Sequence, residues 1–118
     1  MTATKSETTH RIAEQNDRFR RGEPGIEGQI LITPGIQELL KEAGDQPTAI
    51  FRIVQEFDTF TADNDPYGHR DFGSFDFQGQ MCFWKIDAYD VNYEFGSEAP
   101  DDLFKTRRVL TILLGSEW

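Results

Sequence analysis

A single cysteine, Cys82, excludes an intramolecular disulfide and any zinc site built on cysteine pairs. Histidine is almost as scarce: His10 and His69 lie far apart in sequence, so a zinc site would require both to converge with carboxylates. Long hydrophobic runs are missing as well. The longest, Val109 to Leu114, is interrupted by Thr111 and falls far short of the ~20 apolar residues that cross a bilayer. The N-terminal stretch is polar and mixed in charge, without the apolar centre of a secretory signal, so a cytoplasmic location is expected. A surplus of bases is absent too, and a pI near 4.6 opposes direct binding to nucleic acid through its phosphates.

What the chain has is acid, concentrated in one place. Residues 58 to 102 hold eleven carboxylates against only Arg70 and Lys85, which accounts for the whole net charge of −9. The rest of the chain balances at ten acids and ten bases. Most of the aromatic residues fall in the same block, which marks the second half of the chain as the expected working surface. A length of 118 residues suits a single domain, 1–118, and ten Phe, three Tyr and two Trp supply enough apolar bulk for a core.

Thr4 and Glu7 have the spacing of a capping box before a helix of about residues 6 to 21, with Ile12 and Phe19 as a sparse apolar stripe. Gln29 to Thr33 reads as a short strand. Thr33 then caps a helix that has Pro34 at its first position, buries Ile36, Leu39 and Leu40, and stops at Gly44. Asp45 is expected to cap the next helix, where Ile50, Ile53, Val54 and Phe57 recur at helical spacing. A turn-rich loop follows, from Phe60 to Gly68.

Phe72 to Phe77 and Met81 to Asp87 flank the dipeptide Gln78-Gly79, the pattern of a hairpin closed by a two-residue turn. Counting outward from the turn pairs Phe75 with Cys82, Gly73 with Trp84 and Asp71 with Ile86 on an inward face. The other face receives Asp76 with Met81, Ser74 with Phe83, Phe72 with Lys85 and Arg70 with Asp87. Val91, Tyr93 and Phe95 alternate with polar residues as a further strand, and Val109 to Leu114 suits a buried central strand, though its leucine spacing also permits a helix. The expected fold class is α+β, with N-terminal helices packed on one side of a mainly antiparallel sheet of about four to five strands.

The segments Asp63-Asn64-Asp65-Pro66-Tyr67-Gly68-His69-Arg70-Asp71-Phe72-Gly73, Phe83-Trp84-Lys85-Ile86-Asp87 and Arg108-Val109-Leu110-Thr111-Ile112-Leu113, with the helix start Thr33-Pro34-Gly35, resemble an uncharacterised family of small bacterial proteins. Members are often plasmid- or phage-associated and known only as a domain of unknown function. The resemblance covers about residues 10 to 118. It implies no reaction, cofactor or catalytic residue, and its mobile-element setting suggests defence or counter-defence.

Several constellations invite a chemical reading. Asp63, Asp65 and Gly68 fit positions of a calcium loop, but Tyr67 and Ser74 stand where ligands are required, and side-chain turns onto the backbone explain the composition without an ion. Asp71-Phe72-Gly73 spells a kinase tripeptide without the rest of a kinase. Cys82 faces inward and suits a buried hydrophobe better than a nucleophile. No metal or cofactor is expected.

Two function classes fit these residues. In the favoured one the chain is a small acidic non-enzymatic binding protein that docks on a basic protein surface through Asp63, Asp65, Tyr67, His69, Asp71, Phe72, Lys85, Asp87, Tyr89 and Asp90. An inhibitor of the anti-CRISPR or anti-restriction type, imitating nucleic acid before a nucleic-acid-binding defence complex, is the specific form suggested by the resemblance. The alternative is a small hydrolase or nucleotide-processing enzyme with a pocket of His69, Asp71, Lys85 and Asp87. A continuous exposed stripe of carboxylates favours the first; convergence on His69 in a concavity favours the second.

Overall fold

A computed structural model describes residues 5–118. In chain order the elements are α1 (Lys5–Arg20), β1 (Gly28–Ile32), α2 (Pro34–Ala43), α3 (Pro47–Glu56), β2 (Phe72–Phe77), β3 (Gln80–Tyr89) and β4 (Arg107–Leu114), followed by a 3-10 turn at Gly115–Glu117. The fold is α+β. The four strands form one sheet in the order β1-β4-β3-β2, antiparallel except where β1 runs parallel to β4.

The hairpin has the register counted from its turn: Phe75 faces Cys82 and Gly73 faces Trp84. Gln78 and Gly79 carry φ of 53° and 75°, the paired left-handed conformations that match strand twist in a two-residue turn. Gly73 is required by Trp84, because a Cβ there would stand 2.7 Å from the Phe57 ring and closer still to the indole. Cys82 and Trp84 have no exposed surface, and burial pushes the Cys82 thiol upward in pKa. With Ile86, Leu110 and Ile112 they form the sheet's inner face. Phe19 of α1, Ile36, Leu39 and Leu40 of α2, and Ile50 and Val54 of α3 close over it, so the helices share one side.

Helix ends follow local chemistry. Thr33 caps α2 by accepting the Ile36 N–H, Pro34 begins the helix, and Gly44 ends it at a φ of 69°. The cap of α3 is Gln46 rather than Asp45. Pro47 occupies the first helical position and forces the residue before it into an extended conformation, which shifts the boundary by one and leaves no side-chain cap. Thr4, the expected cap of α1, lies outside the described residues.

The expected strand at Val91 to Phe95 does not form. Asp90 Oδ1 accepts the N–H groups of Asn92 and Glu94, and Tyr93 takes a φ of 57°, so the chain curls and touches the sheet only at the bridge between Tyr89 and Gly96. Arg70 also departs from expectation: instead of facing Asp87 across the hairpin it pairs with Asp17 of α1 at 2.6 Å. Its φ of 53° and the hydrogen bond from its N–H to Asp65 Oδ1 turn the chain out of the strand before β2 starts. No helix among the described residues is long and apolar enough to cross a membrane.

Candidate functional site

Two places bring functional groups together, and α1 builds the first. Its apolar stripe is thin because the helix lays polar side chains inward: Gln15, Asn16, Asp17 and Arg20 are all buried. Asp17 holds Arg20 at 2.9 Å, and Arg20 donates to the carbonyls of Val54, Gln55 and Phe57, capping the C-terminus of α3. Arg20 also lies over the Trp84 and Phe60 rings, 5.1 and 5.5 Å from their centroids. Burial lowers its pKa, opposed by Asp17.

Arg108 occupies the next position along the same face. Strand alternation puts it beside Leu110 and Ile112, and it is only 1% exposed. Its Nε donates to Asn16 Oδ1 at 2.7 Å and its Nη2 to Gln15 Oε1 at 3.0 Å and to the Pro100 carbonyl at 2.9 Å. Nη1 has no hydrogen-bond partner among the described residues. Desolvation lowers the guanidinium to about 10, with Asp101 opposing. Arg108 lines a cavity of about 200 Å³ with Asn16, His69, Asp71, Asp87 and Ala88. Asn16 Nδ2 holds the His69 carbonyl at 2.9 Å, and burial pushes the Asp71 carboxyl above its ordinary value while His69 opposes.

The second place is the loop between β3 and β4. Val91, Phe95 and Phe104 line a groove of about 510 Å³ with Asp90, Glu98 and Lys105. Phe95 is 71% exposed and Phe104 91%, while Asp102 Oδ1 accepts the Phe104 N–H and fixes the backbone beneath that ring. Asp101 binds Arg11 at 2.9 Å, which ties the loop to α1.

The residues singled out from the sequence are dispersed over these surfaces. His69 and Asp71 meet at the Arg108 cavity, and Asp87 reaches its edge. Lys85 does not line it; it pairs with Asp87 at 2.8 Å on the outer face of the sheet. There Phe72 stacks on Phe83 at 5.3 Å, and Trp118 sits against both rings. Tyr89 is half-buried on the same face. Asp63 is exposed and Tyr67 is 79% exposed, its ring 6.2 Å from His69. Asp65 borders a wider groove of about 600 Å³ between α1 and the loop before β2, beside Arg70. Asn64 makes a side-chain turn onto the backbone, accepting the Thr61 N–H and donating to the Thr59 carbonyl. Asp90 borders the loop groove. Among the described residues no group of three or more His, Cys, Asp or Glu is placed to hold a metal ion.

Sequence reasoning missed Asn16, Arg108, Phe95 and Phe104 as site residues. The alternation of β4 was the available signal for Arg108; an isolated phenylalanine between acids and a lysine was the signal for Phe104. The family described as Protein of unknown function (DUF3768) matches residues 32–117. The chain belongs to this family. The match spans β1's last residue through the 3-10 turn, and so includes Arg108, the loop groove and the His69–Asp71 edge of the cavity, but not α1. No curated protein and no solved structure matches the chain.

Proposed function

We propose that the protein is a small binding module that docks an acid-rimmed aromatic surface, the loop between β3 and β4, on a basic protein partner. The observation that carries this reading is the exposure of Phe95 and Phe104, 71% and 91%, at one groove bordered by Asp90 and Glu98. Covering a phenylalanine gains about 1.5–3 kcal/mol, whereas an exposed ion pair contributes about 0–1 kcal/mol. The rings therefore anchor the partner and the carboxylates steer it. The fitting occupant is a Lys- or Arg-rich segment that presents a large apolar side chain to the groove. The net charge of −9 supports a partner that ordinarily holds nucleic acid, and a defence complex of that kind is the candidate suggested by the mobile-element resemblance. Catalysis at His69, Asp71, Lys85 and Asp87 has less support, because Lys85 stands apart from the cavity shared by the other three.

Selection of a random peptide library against the immobilised protein tests this. Enriched peptides should combine Lys or Arg with Leu, Phe or Trp, and the double variant Phe95→Ser, Phe104→Ser should lose them with its melting temperature unchanged. Enrichment of peptides without basic residues, or equal capture by the double variant, contradicts the reading.

A further inference from the structure

Two buried arginines lie under α1, and only one of them has a counter-charge. Arg20 binds the Asp17 carboxylate at 2.9 Å. Arg108 is held by the amide oxygens of Asn16 and Gln15 and by the Pro100 carbonyl, with no carboxylate in hydrogen-bond reach among the described residues. Asp101, whose charge opposes the lowering of the Arg108 pKa, is itself paired with Arg11 at 2.9 Å. An unpaired buried cation is costly, and one remaining donor, Nη1, is unsatisfied.

A cavity adjoins this cation. At about 200 Å³ it lies below the ~300–1,000 Å³ of pockets that enclose drug-sized ligands, so it suits a single compact group. Its other polar walls are His69, Asn16, Asp71 and, at the edge, Asp87, whose carboxylate is paired with Lys85 at 2.8 Å, and the small Ala88 lines the strand side. Burial pushes the Asp71 carboxyl up in pKa, and His69 opposes that shift. We propose that this cavity is a binding site for a small oxyanion, a phosphate or carboxylate group, with Arg108 as its cation and His69 at its edge. The planar guanidinium, already fixed by its amide partners, loses little further freedom when an oxyanion arrives. The site is separate from the loop groove and requires no partner protein.

Calorimetric titration of the whole protein with inorganic phosphate and with acetate, at constant ionic strength set by chloride, tests the proposal. Saturable one-site binding of either anion is expected, with tighter phosphate assigning the site to phosphoryl groups and tighter acetate assigning it to carboxylates. Arg108→Gln should weaken it about ten- to hundredfold, the loss of charge-assisted hydrogen bonds. Because Arg108→Gln could also unfold the chain, Ala88→Leu provides the second arm: it fills the cavity, keeps Arg108, and should abolish binding while the protein still unfolds cooperatively. Phe104→Ser should bind the anion as the wild type does. Absence of saturable binding with both anions, or binding that survives Ala88→Leu, overturns the site.

Discussion

Asp71 shows how a single residue reports its surroundings. Burial raises its pKa above the ordinary carboxylate value, with Asp65 and Asp87 acting in the same direction and His69 and a backbone hydrogen bond opposing. A carboxyl that is raised in the folded state adds stability at pH below its unfolded value and loses that contribution as pH rises through the folded one. Asp71→Asn cannot ionise, so the variant should be more stable than the wild type at neutral pH and lose that advantage on acidification below about pH 4. Chemical denaturation of both proteins across this range checks the sign; a wild type that gains on the variant as pH rises would contradict it. The residues that surround Asp71 were only partly legible. His69 and Asp71 are neighbours in sequence, whereas Asn16 and Arg108 are 92 positions apart and become partners only once α1 turns polar side chains inward. Apolar periodicity is silent about a helix whose buried face is made of amides and ion pairs.

At the scale of elements, local signals succeeded where both partners were close in the chain. The hairpin follows from Gln78-Gly79 and the alternation beside it, and α2 follows from Thr33, Pro34 and Gly44. The segment after β3 misled because alternation of Val91, Tyr93 and Phe95 competes with Asp90, whose side chain takes the backbone donors that a ladder would use. The parallel pairing of β1 with β4 and the clamp on α2 are non-local. Glu117 accepts the Thr33 hydroxyl at 2.6 Å and the N–H groups of Gly35 and Leu114 at 3.1 and 2.8 Å, joining the helix start to the end of β4. Burial acts to raise this carboxyl, but those hydrogen bonds outweigh it and its pKa is lowered. Glu117→Ala should therefore cost about 1 kcal/mol, the usual loss of a helix cap, and a few degrees in Tm. Thermal unfolding at neutral pH checks this, and an unchanged Tm would show that the clamp contributes nothing.

Over the whole molecule, the confinement of charge was readable from composition, but its use was not. Much of the acid is occupied within the fold: Asp65 holds a backbone N–H, Asp87 pairs with Lys85, Asp90 curls the loop, Asp101 binds Arg11 and Asp102 supports Phe104. The carboxylates thus shape loops as well as a field, and they bring two phenylalanines to the surface beside Glu94 and Glu98, both exposed. Anchoring by the rings and steering by the acids are separable in kinetics. The most direct measurement is the association and dissociation rate of a selected basic peptide across a salt titration, for the wild type, for Glu94→Gln with Glu98→Gln, and for Phe104→Ser. The acid-neutralised variant should associate more slowly with a flatter salt dependence and an unchanged off-rate, while Phe104→Ser should keep the wild-type on-rate and dissociate about tenfold faster or more. Rates in both variants equal to those of the wild type at every salt concentration would contradict the docking surface.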